Sequence, residues 1–220
     1  MSRKTENDRA LALELTPVSD DALARLDKFA ALLVEWQNRI NLVAPSTLPQ
    51  LWTRHIADSL QVLRHGRDAK IWVDLGSGAG FPGIPIACAL AQTAGVRIHL
   101  VESNGKKAAF LREAVRITGV PVTVHAERIE NFGETFGETA DAVTARALAP
   151  LKSLLDQAFP LLAKGAIGLF LKGQDVGAEL TDSAKDWSVD AEKIPSVIDP
   201  RGCVLIVRRV HRLNRAQYRS

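Results

Sequence analysis

Cysteine occurs only twice in these 220 residues, as Cys88 and Cys203, each inside an apolar stretch. With no CxxC and no spaced Cys/His set, a structural zinc site and a disulfide framework are both excluded, and no metal is expected. Long hydrophobic runs are equally scarce. The longest, around 83–94, is preceded by Pro82, interrupted by Pro85 and too short to span a bilayer. Residues 1–8 are polar and lack the apolar core of a signal peptide. These absences predict a cytoplasmic protein with no membrane partner. Internal repeats are missing, and so is GxxxxGK[ST], the phosphate loop of nucleoside-triphosphate enzymes. Net charge is small as well: +3, a value ordinary for any soluble domain.

What remains is a globular composition, 46% hydrophobic and 24% charged, in a chain long enough for one well-buried core with extra elements. Charge is unevenly placed. Residues 208–219 carry five arginines and no acid, whereas 127–141 is acid-rich.

Pro17-Val18-Ser19-Asp20 predicts a helix start capped by Ser19 or Asp20, followed by Leu23, Leu26, Ala30, Leu33 and Ile40 at helical spacing. A second helix after Pro49 carries Trp52, Ile56, Leu60 and Leu63, ending near His65-Gly66. Beyond this helical lead-in, short apolar runs alternate with helices. Strands are expected at 71–75, 96–101, 122–125, 140–144 and 166–171. Helices are expected at 83–94, at 106–117 closed by Thr118-Gly119, and at 150–162 opened by Pro150. That alternation is the signature of a parallel sheet covered on both faces. Segments 189–194 and 203–210 read as a closing hairpin at the sheet edge, and 172–186 as a loop with a short helix. The expected division is a helical extension over 1–68, a main domain over 69–211 and a basic tail over 212–220.

The first strand runs directly into Gly76, Gly78, Gly80 and Gly83, where missing side chains let backbone approach a ligand. Residues 78–83 satisfy GxGxxG, which alone is weak. Asp74, at the strand end, discriminates. A dinucleotide brings a pyrophosphate here, which an ionised carboxylate would repel, whereas S-adenosylmethionine brings a cationic amino group and a sulfonium. Glu102, at the end of the next strand, is placed to accept ribose hydroxyls in either cofactor class. Ala126-Glu127, after the third strand, would meet the adenine. The residues therefore indicate an S-adenosylmethionine-dependent methyltransferase, with Asp74, Gly76, Gly78, Glu102, Ala126 and Glu127 around the cofactor.

The chain also resembles the family of bacterial methyltransferases that make 7-methylguanosine in 16S ribosomal RNA, known as glucose-inhibited division protein B. The resemblance rests on Trp36-Gln37-Asn38-Arg39-Ile40-Asn41-Leu42, His55-Ile56-Ala57-Asp58-Ser59 and the glycine loop through Phe81-Pro82-Gly83-Ile84-Pro85. It extends to Val101-Glu102-Ser103, His125-Ala126-Glu127-Arg128 and Thr144-Ala145-Arg146-Ala147. It implies a class I methyltransferase fold, a Rossmann-like, mostly parallel seven-strand sheet with an N-terminal helical extension. Cofactor contacts carry over to Gly76, Phe81, Ala126-Glu127 and Arg146, with Glu102 as the ribose acid.

Guanine N7 carries a free lone pair in the neutral base, so methyl transfer requires no catalytic base, and the enzyme's task is alignment and charge stabilisation. Arg146 is expected to organise the base or the methionine carboxylate, with Asn41, His55 and Asp58 closing over the pocket. Expected partners are 16S ribosomal RNA or the small ribosomal subunit, engaged by a monomer without affinity for DNA. Phosphate contacts would come from Arg39, Lys106, Lys107, Arg112, Arg128, Lys172, Arg208, Arg209, Arg212 and Arg215. The alternatives are methylation of a small molecule or protein, or a non-catalytic RNA-binding assembly factor.

Overall fold

In the computed structural model, which describes residues 3–213, the run 71–75 forms a central strand, β1 (Ile71–Leu75). On one side it pairs in parallel with β2 (Arg97–Val101), and β2 pairs with β3 (Val122–His125). On the other side lies β4 (Ala142–Arg146), then β5 (Ile167–Lys172), both parallel. The sheet is closed by an antiparallel pair, β7 (Cys203–Arg212) against β5 and β6 (Trp187–Pro195) at the edge, giving the order β3-β2-β1-β4-β5-β7-β6. The expected hairpin therefore exists, although its two strands are longer than 189–194 and 203–210. Strand order reverses between β1 and β4, so a crevice opens there at the carboxyl ends of the strands.

Two helical layers cover the sheet. On one face α2 (Asp20–Gln37), α4 (Gly83–Leu90) and α5 (Gly105–Thr118) share a core in which Leu26, Phe29 and Leu33 of α2 meet Ile84 and Phe110. Burying each of these side chains contributes roughly 1.5–3 kcal/mol. The other face carries α6 (Ile129–Thr135), α7 (Leu151–Leu162) and α8 (Val176–Ser183) around Phe132, Leu155 and Phe170. Ser19 rather than Asp20 caps α2, accepting from the Ala22 N–H at 3.3 Å. Asn104 caps α5 through the Lys106 and Lys107 N–H groups, and Gly119 ends it in the left-handed conformation (φ 63°).

The lead-in differs from its sequence expectation. An additional helix, α1 (Arg3–Leu15), precedes α2, and the single helix expected after Pro49 is a broken series. A 3₁₀ turn at Pro45–Gln50 leads into a π-helical turn at Trp52–Ala57, one α turn (α3, Asp58–Leu60) and a last 3₁₀ turn at Gln61–His65. Asp8 of α1 explains how the break is held. Its carboxylate accepts from Trp52 N at 2.8 Å and from the Thr53 hydroxyl at 2.5 Å, satisfying donors that a helix start leaves open. The fourth strand lies two residues later than expected. Asp141 is spent before the strand begins, accepting from Lys70 N and Ile71 N at 2.8 and 2.9 Å. Pairing with Leu171 then carries β4 on to Arg146. Likewise Pro150 caps α7 instead of opening it, and 83–94 is helical only to Leu90. No helix among the described residues is long and apolar enough to cross a membrane. Most of the basic tail, 214–220, lies outside the described residues.

Candidate functional site

A cavity of about 520 Å³ opens at the switch point, within the range of small-molecule sites. Four strand ends build it: Gly76–Phe81 after β1, Val101–Ser103 after β2, Arg128–Glu130 after β3, and Arg146–Leu148 at the end of β4. Leu42, Val43 and His55 of the lead-in, Lys107 of α5 and Gln157 of α7 complete the wall.

The glycine loop takes its shape from backbone that other residues resist. Gly76 has φ +63°, and a Cβ there would also strike Leu148 Cδ1 at 2.4 Å. At Gly83 a Cβ would meet Leu100 Cδ2 at 2.2 Å, so glycine is what lets α4 press against β2. Glu102 locks the loop from the side. Its Oε2 accepts from Gly78 N at 2.9 Å and its Oε1 from Asn104 N at 2.7 Å. Each carboxylate oxygen has a second lone pair, so both can accept again from a ligand in the cavity.

Asp74 lies behind this wall rather than in it, only 1% exposed. Its Oδ1 accepts from the hydroxyl of Thr144, its neighbour in the β1–β4 register, at 2.8 Å, while Oδ2 is buried without a hydrogen-bond partner. Burial pushes its pKa up to about 6, against the opposing pull of the Thr144 hydroxyl. Its side chain lies against the start of α4, where a Cβ on Gly83 would come within 3.0 Å of Oδ2.

Arg146 is the hub of the opposite wall. Its guanidinium donates to His55 Nδ1 at 2.8 Å and to the Arg54 carbonyl at 3.1 Å, and lies 3.5 Å from Asp58. It also sits 4.8 Å over the Phe81 ring, which His55 and Phe29 flank at 5.0 and 5.3 Å between ring centres. Three of the five N–H groups of an arginine are thereby used, leaving two for a ligand. His55 must accept at Nδ1, so it donates from Nε2 to Thr47 Oγ1 at 2.9 Å, and Thr47 donates on to the Ala44 carbonyl at 2.7 Å. Burial, with Arg146 and Arg54 adding to it, lowers the His55 pKa to about 3, so the ring is neutral. Asp58 is held by Gln61 at 2.7 Å; burial raises its pKa and Arg146 opposes the rise. The residue after Arg146, Ala147, has φ +51°, a strained conformation concentrated at functional sites.

The structure thus brings His55, Gly76, Gly78, Phe81, Glu102 and Arg146 to one cavity. Asp58 stands just behind Arg146. Asn41 is exposed and accepts from Gln37 at 3.3 Å, and it is Gln37 that fixes the wall by accepting from Leu42 N and Val43 N. Ala126 and Glu127 stop short of the wall, which is made instead by Arg128, Ile129 and Glu130. The last two belong to α6, a helix of seven residues too short and too acid-rich to show a hydrophobic period.

The basic candidates divide as well. Arg39, Lys172, Arg208 and Arg212 are paired with Glu35, Glu179, Glu192 and Asp156. Lys106, Lys107, Arg112, Arg128 and Arg209 form no ion pair among the described residues, and of these Lys107 and Arg128 line the cavity. Arg215 lies outside the described residues.

Comparison with known proteins places this geometry. The family model described as rRNA small subunit methyltransferase G (GidB) matches residues 22–201. A protein named ribosomal RNA small subunit methyltransferase G from Bradyrhizobium sp. (strain BTAi1 / ATCC BAA-1182) is 56% identical over 207 residues, covering 94% of this chain and 93% of the relative. One of the same name from Nitrobacter hamburgensis is 54% identical over 208 residues, covering 94% and 80%. Among solved structures, a putative O-methyltransferase from Klebsiella pneumoniae superposes with a TM-score of 0.61 at 15% identity, covering 91% of this chain and 96% of the other. The O-methyltransferase TomG from Streptomyces achromogenes, solved with SAM, gives 0.60 at 17% identity, covering 95% and 100%. At such identities these two speak for the fold alone.

Proposed function

The chain belongs to the rRNA small subunit methyltransferase G family, and from that premise we propose that it transfers the methyl group of S-adenosylmethionine to N7 of a guanosine in 16S ribosomal RNA. The observation that carries the cofactor assignment is Glu102, whose two oxygens border the cavity at the end of β2 with acceptor capacity left over. The residues present fit that ligand. Glu102 would take the ribose hydroxyls, Val101 and Ile129 offer an apolar wall to the adenine, and Gly76 and Gly78 admit the chain of the amino acid. Asp74, one layer behind, supplies negative charge toward a cationic ligand. Ala126 and Glu127, directly before the Arg128–Glu130 wall, would approach the adenine from the end of β3, and Asn41 of the lead-in would close over the pocket.

When bound, the cofactor supplies an electrophilic methyl group on a sulfonium. This chain's own contribution is orientation. N7 has a lone pair to offer without losing a proton, and the two polar side chains beside Arg146 are engaged rather than poised as bases: His55 Nδ1 by Arg146, and Asp58 by Arg146 and Gln61. Arg146, with two N–H groups to spare, orients the base or the methionine carboxylate. Lys107 and Arg128 at the mouth offer phosphate contacts. In the same reading residues 1–68 are an extension closing over the domain at 69–211, and the protein acts in the cytoplasm as a monomer on the small subunit or its RNA, not on DNA.

The test is incubation with radiolabelled S-adenosylmethionine and either 30S subunits or deproteinised 16S RNA from cells lacking the modification, followed by digestion of the RNA. Label in 7-methylguanosine supports the proposal and shows which assembly state is preferred. No label in either, with cofactor binding confirmed, refutes the RNA substrate.

A further inference from the structure

A second cavity, of about 920 Å³, adjoins the first and shares with it Arg146, Ala147 and Leu148. A ligand seated there could present one edge at the junction where the methyl group is delivered. Its walls are the π-helical turn on one side, the segment after β5 on the other, and the loop 196–202 between β6 and β7.

Eight charged side chains border this cavity, and six of them neutralise one another: Arg146 with Asp58 at 3.5 Å, Lys172 with Glu179 at 2.5 Å, Arg201 with Asp199 at 3.3 Å. The two that enter no ion pair among the described residues are Arg54 and Asp175. Asp175 is unusual in a second respect. It stands at the N-cap of α8, where an aspartate ordinarily spends its carboxylate on the first N–H groups, yet it makes no such bond. Asp175 is exposed and borders the cavity, with its carboxylate paired with neither a cation nor the helix N–H groups among the described residues.

Relying on the guanine-N7 reading, we infer that this second cavity receives the target guanosine, with Asp175 as the specificity-determining residue that accepts from N1–H and the N2 amine of the base, and Arg54 meeting a phosphate. Guanine places these two donors side by side, a match for the two oxygens of a carboxylate, on the edge opposite N7. Adenine presents an acceptor at N1 and would be repelled. Arg146 is the register partner of Leu171, so the chain leaving β5 enters the cavity wall one strand over from Arg146. Arg54 is exposed, as a partner for a solvated phosphate should be.

The experiment compares 16S RNA carrying guanosine or inosine at the methylated position. Inosine keeps N7 and N1–H and lacks only the amine. Wild-type protein should prefer guanosine by about tenfold or more in kcat/KM. In Asp175→Asn the guanosine rate should fall about 10–100-fold and the preference should collapse toward one. Each ratio is taken within one protein, so partial misfolding cancels. Arg54→Gln should keep the preference while the salt dependence of RNA binding becomes shallower by roughly 0.7–0.9 in log–log slope. An Asp175→Asn protein that still prefers guanosine overturns the assignment. Wild-type protein that methylates neither RNA overturns the guanine-N7 reading, and this inference with it.

Discussion

Arg146 Nη2 donates to His55 Nδ1 across 2.8 Å, joining residues 91 positions apart and tying the lead-in to the end of β4. The bond fixes the imidazole tautomer, while burial, with the nearby Arg146 charge adding to it, keeps the ring uncharged. It also aims the guanidinium at the boundary of two cavities.

Arg146→Lys is the sharpest probe of that hub. Lysine keeps the charge but lacks the planar fork that serves His55, Asp58 and the Arg54 carbonyl together. Single-turnover methyl transfer should slow about 100-fold, roughly 2.7 kcal/mol of activation free energy, while cofactor binding by calorimetry changes much less. Equal losses in both would indicate a general packing role.

His55 gives a pH signature with a definite sign. Its folded pKa of about 3 lies below the ordinary 6.5, so between these values the unfolded chain takes up a proton that the folded protein refuses. Its contribution to stability is therefore complete above pH 6.5 and is lost as pH falls toward 3. Asp74, raised to about 6, works in the opposite sense, since its folded form retains a proton and loses stability as pH climbs from about 4 through 6. Comparison with His55→Gln isolates the first effect: the stability advantage of wild type, from urea unfolding, should shrink on acidification below pH 6.5. A constant difference would contradict a neutral, buried His55.

Glu102→Gln should weaken S-adenosylmethionine binding about 10–100-fold, or roughly 1.4–2.7 kcal/mol. The amide offers one acceptor where the carboxylate had two, and its NH₂ would confront the N–H of Gly78 or Asn104. Calorimetric titration with the cofactor reads the change directly.

Asp8→Ala acts at a distance. It uncaps the π-helical turn that carries His55, leaving Trp52 N and the Thr53 side chain without their shared partner. Unfolding free energy should drop by about 1–3 kcal/mol, and methyl transfer should fall because Arg146 loses a fixed acceptor. Full activity with lowered stability would show that α1 is structural alone.

The parallel sheet, the glycine loop and Glu102 were legible from residue order because each leaves a local mark: an apolar run, missing Cβ atoms, an acid at a strand end. Phe81 and Arg146 became site residues through resemblance, since nothing local marks them. The sequence could not show that α1 exists, because its anchor is the side chain of Asp8 reaching a turn 44 residues away rather than an apolar stripe. Nor could it separate Asp74 from the cavity wall, divide the basic residues into paired and unpaired, or foresee that Ile129 and Glu130 replace Ala126 and Glu127 at the opening. Local chemistry fixes which residues can form an element. Which charges find partners, and which side of a strand end meets the ligand, depends on segments far apart in the chain, and only their packing together decides it.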